Sequence, residues 1–167
     1  KIAQLSPQPM KHLVCVDTAP ILEKDYAQQS GLGWIARNSC LISQDHGSWL
    51  FLCEILIDVP LKPDKPLTKT DCADCHRCQM ACPTKAILPN RTIDARRCLS
   101  YLTIEHRGPI PPAFRPLMGQ RIFGCDTCQT ICPSNQKAKV AATLLDHPLL
   151  IDPHPDLLDS FLLTETE

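Results

Sequence analysis

Cys72-Ala73-Asp74-Cys75-His76-Arg77-Cys78-Gln79-Met80-Ala81-Cys82-Pro83 is the stretch on which the fold turns. Its spacing, C-x2-C-x2-C-x3-C followed at once by proline, is that of a [4Fe–4S] cluster ligand run. The two-residue gaps wrap the backbone so that three thiolates converge on one cubane. The three-residue gap predicts a short helix that carries Cys82 away from the first three, and Pro83 stops the chain from folding back. A second run follows at Cys125, Cys128 and Cys132, again closed by a proline, Pro133. It is the same pattern without its first cysteine, and Ile122 stands at the missing position.

One more thiolate is needed, and Cys98 is the only other cysteine between the two runs. In two-cluster ferredoxins the last cysteine of each run serves the other cluster. The count then closes as Cys72, Cys75, Cys78 and Cys132 for one cluster, and Cys82, Cys98, Cys125 and Cys128 for the other. The competing reading is two zinc ions, because eight thiolates could also build two tetrahedral four-thiolate sites. Visible colour separates the two. Cys15, Cys40 and Cys53 lie in apolar contexts outside these runs and read as small buried hydrophobes. His76 and His106 read as hydrogen-bonding surface residues.

Composition sets the frame around this module. The chain has 167 residues, of which 11 are Cys and 16 are Pro, with a net charge of -1. Mean hydropathy is -0.10. An odd, high cysteine count without a signal-peptide pattern argues for metal-ligating thiolates in a reducing compartment rather than for a disulfide scaffold. No apolar run reaches the roughly 18 residues of a membrane span. The chain begins at Lys1 without Met and reads as a piece of something longer.

Upstream, residues 11–17 read as a short buried strand, and Thr18-Ala19-Pro20 as the start of a helix carrying Ile21, Leu22 and Tyr26 and stopping at Gly31. Residues 49–57 read as a central strand, giving part of an α/β unit too small to cover a parallel sheet. The expected fold class is therefore α+β: a partial α/β segment followed by a ferredoxin-like module binding two [4Fe–4S] clusters. The expected boundaries are 1–62, 63–135 and an acidic tail at 136–167, with Pro60–Pro66 as a stiff linker and a helix starting at Pro155-Asp156. Between Thr84 and Arg121 seven basic residues face two acidic ones, a local net of +5. Such a face suits phosphate binding, or offsets the charge of thiolates and sulfides.

A two-cluster module needs only about 60 residues, so the remainder has another task. Val16–Glu23, Gly31–Ile35, Gly47-Ser48-Trp49 with the strand after it, Asp94–Glu105 and Arg121–Asp126 resemble epoxyqueuosine reductase. The resemblance implies a cytoplasmic, monomeric, cobalamin- and iron–sulfur-dependent oxidoreductase that reductively removes the epoxide oxygen of epoxyqueuosine in a tRNA anticodon loop, giving queuosine. It implies tRNA and an unidentified electron donor as partners, with no membrane. It assigns Asp17 as the catalytic acid, where a raised pKa would let the carboxyl hold a proton; read from the residues alone, Asp17 caps the following helix. It assigns cofactor contacts to Arg37, Asn38, Ser39, Ser100, Phe123, Gly124 and Asp126. Ala36-Arg37 departs from the family's usual Gly-Lys, and Ser134 from its usual Trp. The family's N-terminal portion and helical-repeat extension find no counterpart here. The alternatives are an electron-transfer protein without chemistry of its own and a relative of the reductive dehalogenases.

Overall fold

The computed structural model describes residues 10–17, 19–67 and 72–138. The expected Thr18 cap and the tail helix near Pro155 lie outside them. In chain order the elements are β1 (His12–Cys15), α1 (Glu23–Gln29), β2 (Trp34–Ile35), β3 (Leu41–Ile42), β4 (Glu54–Ile57), α2 (Arg77–Ala81), α3 (Leu99–Ile104), α4 (Arg115–Met118), α5 (Thr127–Thr130) and α6 (Pro133–Gln136). Short elements separated by proline-rich loops are what 16 prolines dictate.

The upstream segment departs from a parallel unit. β1 pairs antiparallel with β4, with His12 opposite Ile57 and Cys15 opposite Glu54. β2 and β3 form a second antiparallel pair. The expected buried strand at 11–17 is instead a two-stranded ribbon whose Leu13 is 60% exposed and Val14 55% exposed. The central strand foreseen over 49–57 shrinks to its last four residues. A hydrophobic run records that a strand forms, while its partner and direction are set by contacts distant in sequence. α1 starts at Glu23 without a side-chain cap, so Asp17 is not its cap. Instead Glu23 and Asp25 occupy its first turn, where negative charge opposes the helix dipole.

α1 is tied to the β2–β3 hairpin by two polar bonds. The Ile35 amide donates to Gln28 Oε1 at 2.8 Å, and Lys24 Nζ donates to the Ser39 carbonyl at 3.0 Å. The apolar centre here is Ile42, fully buried, with Leu41, Ala36 and Ala27. Residues 60–66 run exposed and without regular structure. In the cysteine-rich part, α2 packs against α5, and Leu99 and Leu102 of α3 are buried.

A buried polar network joins the two parts. Asn135 Oδ1 accepts from the Ser48 amide at 2.7 Å, and Asn135 Nδ2 donates to Ser48 Oγ at 2.7 Å and to the Gln129 carbonyl at 2.8 Å. Ser48 Oγ in turn donates to Gln129 Oε1 at 2.7 Å. Gly47 is glycine for two reasons: its φ is +62°, and an added Cβ would run into the Asn135 side chain. Because each buried polar group is satisfied only by its partner, Asn135→Ala should cost about 1–3 kcal/mol. Denaturant unfolding of the metal-loaded chain checks this, with exposed Lys137→Ala expected within about 0.5 kcal/mol of the parent.

Candidate metal centre

Each expected ligand cysteine is delivered by a local device. α2 begins just after Cys75 and ends at Cys82, which turns extended (φ -62°, ψ 117°) ahead of Pro83. The short helix and its proline stop are as the three-residue gap predicts. Ile87 then bridges Ile93, and Asp94 accepts from the Arg96 amide to cap a single 3-10 turn. That turn delivers Cys98 to the start of α3. Thr103 Oγ1 of α3 accepts from the Gly124 amide at 2.9 Å and so draws Cys125 in beside Cys98. Gly124 reaches this through φ +77°. Cys128 rides on α5, and Cys132 stands extended at the start of α6 with Pro133 in its first position.

The eight thiols gather as two groups. Cys82, Cys98, Cys125 and Cys128 line one cavity whose remaining wall is apolar, formed by Pro83, Ala86, Ile87, Ile93 and Leu99 with the two threonines Thr84 and Thr127. Cys78 feels the charges of Cys72, Cys75 and Cys132, and burial together with those neighbours pushes its thiol up. Burial, followed by the proximity of Cys40, Cys125, Cys78 and Cys98, pushes the Cys128 thiol to about 12. Cys82 goes the other way. Burial raises its thiol, but hydrogen bonds from the Ala86 amide and Thr84 outweigh this and bring it below its ordinary value.

These groups fit a cluster of several irons. The donors are all thiols, and four of them surround one largely apolar cavity. Thiolates bound to the corners of a cube stand farther apart than those on a single ion. Zinc would instead draw four sulfurs to about 2.3 Å of one point.

The remaining cysteines divide. Cys15 is buried as expected, but Cys53 is exposed, because its strand begins only at the next residue. Cys40 is more than a core filler: its thiol lies close enough to Cys78, Cys132 and Asp126 to interact with their charges, and burial lifts it to about 11. Its only sequence signal is the turn it shares with Asn38. His76 is exposed and bonded to Gln79, and the His106 ring leans on Tyr101.

The expected cofactor contacts scatter. Asn38 is 2% exposed, and its amide serves the protein itself, donating to the Cys128 carbonyl at 3.4 Å and accepting from the Cys40 amide at 3.3 Å. Its side chain therefore shapes the turn and is not presented outward. Arg37 Nη2 donates to the Ala73 carbonyl at 2.7 Å, placing the guanidinium against the first cysteine loop. Its Nε, like Trp34 Nε1, is buried without a hydrogen-bond partner among the described residues. Ser39 holds φ +62°. Ser100 is half-buried, Phe123 is 78% exposed, and Asp126 accepts from Gln129 Nε2. Asp17 is exposed at φ +52°. Of the basic residues, Arg96 pairs with Asp94 through two bonds of 2.9 and 3.0 Å, and half-buried Arg121 turns inward to Thr127. Lys85, Arg97, Arg107 and Arg115 are exposed.

Residues 71–135 match the family described as the 4Fe-4S double cluster binding domain. Over 150 residues the chain is 49% identical to the epoxyqueuosine reductase of Yersinia pestis, covering 90% of this chain and 36% of that protein. The epoxyqueuosine reductase structure from Streptococcus thermophilus superposes with a TM-score of 0.80 at 35% identity, covering 95% of this chain and 41% of that one. Over most of its own length the chain is similar to epoxyqueuosine reductases. It spans a little over a third of the length of these relatives. A further epoxyqueuosine reductase structure, solved with an epoxyqueuosine-modified tRNA-Tyr stem loop, matches with a TM-score of 0.76 at 34% identity, covering 83% of this chain and 36% of that one.

The raised thiols have a measurable consequence in the metal-free chain. Cys40 and Cys128 hold their protons to about 11 and about 12 when folded, against 9.0 ordinarily. The unfolded chain therefore loses those protons first as pH rises. Their contribution is complete below pH 9 and should disappear progressively towards pH 12. Urea midpoints of the apo chain across that range check the sign.

Proposed function

We propose that the chain is the electron-delivering and substrate-facing section of an epoxyqueuosine reductase. The observation that carries this is the convergence of Cys82, Cys98, Cys125 and Cys128 on one cavity, within a sequence 49% identical to a reductase of that family. In this reading the module over 63–135 is ferredoxin-like and holds two [4Fe–4S] clusters, with the two ligand sets interlaced through Cys82 and Cys132. Residues 1–62 form the cofactor- and substrate-facing segment, and 136–167 an acidic tail. Among the described residues no helix is long and apolar enough to cross a membrane. The reading places the protein in the cytoplasm as a monomer served by a separate electron donor.

When bound, the clusters would supply single electrons and cobalamin low-potential cobalt for a two-electron, two-proton reduction that turns the epoxide into an alkene and releases water. The residues do the rest. Asp17 gives its proton to the developing alkoxide, since general acid catalysis removes the cost of a free oxyanion. Its exposed position in the loop after β1 leaves it reachable by substrate. Arg37 Nε and Trp34 Nε1, buried donors lacking a partner among the described residues, suit the amide oxygens of a corrin, as do the hydroxyls of Ser39 and Ser100 by residue type. Asn38 enters as the residue that holds the turn. Phe123, Gly124 and Asp126 bring the Cys125 loop towards the corrin. Exposed Lys85, Arg97, Arg107 and Arg115 suit the phosphates of a tRNA anticodon loop.

Single-turnover reduction of epoxyqueuosine-containing tRNA by the full-length protein tests this. Asp17→Asn should slow product formation about a hundredfold or more while leaving cluster content and the corrin spectrum unchanged. An unaltered rate would reduce Asp17 to a loop residue and favour a purely electron-transferring module.

A further inference from the structure

The two cysteine groups differ in what hydrogen-bonds to their sulfurs. At Cys82 the Ala86 amide donates to Sγ at 3.3 Å, and Thr84 Oγ1 lies 3.7 Å from the same sulfur. Thr84 is only 2% exposed and lines the cavity. At Cys125 the hydroxyl of Thr127 lies 3.4 Å from Sγ. That hydroxyl also accepts from Arg121 Nη2 at 2.8 Å.

Donor directions follow from the chemistry. Arginine has only N–H donors, so Thr127 must accept from it and has its own hydrogen left for Cys125. A sulfur bound to iron carries no proton, so Thr84 must donate to Cys82. Arg121 is itself held in place by donating to the Met118 carbonyl at 3.0 Å. Each hydroxyl lies two residues after a cysteine, Thr84 after the last of the first run and Thr127 after the first of the second. Both face the cavity of the second group. For the first group, among the described residues, the corresponding donor is the Gln79 amide beside Cys78.

We infer that Thr84 and Thr127, with the Arg121 guanidinium behind Thr127, make the cluster of Cys82, Cys98, Cys125 and Cys128 the more easily reduced of the pair. This rests on the two-cluster reading above. Reduction adds one electron to the core; no bond forms or breaks and no proton moves. The added charge spreads onto the thiolate sulfurs, and donors aimed at those sulfurs stabilise the reduced state more than the oxidised one. The three are tuning residues and ligate no iron. An electron arriving at the first cluster then runs downhill to the second.

The test is an anaerobic redox titration with dithionite, followed by electron paramagnetic resonance, on the full chain reconstituted with iron and sulfide. The parent should titrate in two separated one-electron waves. Thr84→Val and Thr127→Val should each shift the reduced-to-oxidised ratio of the higher wave about threefold to tenfold towards oxidised, tenfold being 59 mV for one electron. The lower wave should stay in place, and Thr84→Ser and Thr127→Ser should restore the parent value. Arg121→Gln, which leaves the cavity wall intact, should lower the same wave and decides the matter where a valine variant does not load. Waves that coincide in the parent, that stay put in the variants, or a shift confined to the lower wave would overturn the inference while leaving the clusters standing. A parent that takes up no iron and sulfide would instead reject the cluster reading.

Discussion

Eight thiols from two runs of chain and from Cys98 between them, with α2 packed on α5, are the constraint around which the rest is arranged. Thiolates crowded like this repel one another, and burial penalises their charge further, which is why Cys78 and Cys128 are pushed up. Protons offset that cost in the metal-free chain, and bound metal ions would offset it in the loaded one. The apolar material is too sparse to do so alone: around the thiols the buried side chains are Ala86, Ile87, Leu99 and Leu102. In a small, loop-rich region of this kind, metal binding energy is folding energy. The short helices, the proline stops and the 3-10 turn before Cys98 aim sulfur atoms, with little scope for burying surface.

The upstream segment is attached to this module by polar means. Asn135, Ser48 and Gln129 bond to one another, and Asn38 reaches the backbone at Cys128. Networks of this sort give little net energy but specify one geometry, since any misregister strands a buried donor. The geometry they specify puts the 36–40 turn, with Arg37 and Cys40, against the cysteine loops. Elsewhere the segment is open: Leu13, Val14, Ile55 and Leu56 of the β1–β4 ribbon are exposed, a surface of the kind that marks packing or interaction.

The cysteine spacing made the metal module readable without any structure, because ligand geometry translates directly into residue intervals. The helix before Cys82 and the proline after it follow from the same intervals. The ribbon was misjudged for a physical reason: alternating and apolar runs over 11–17 and 49–57 report strand character, whereas antiparallel pairing and one-sided burial depend on what lies alongside. The burial of Asn38 is not legible in its residue type, since its amide's partner at Cys128 lies ninety positions away. Thr84 and Thr127 were passed over because a threonine two residues from a cysteine has no distinctive pattern until the sulfur's lone pairs are located. Cys53 had an apolar neighbourhood in sequence but not in space.

The interlaced pair of clusters is tested most directly by native mass spectrometry of the anaerobically reconstituted chain beside its Cys132→Ala variant. The account predicts a parent carrying eight irons and eight sulfides, and a variant that keeps one intact cubane, held by Cys82, Cys98, Cys125 and Cys128. A colourless, iron-free parent, or a variant that still holds both cubanes, would contradict it.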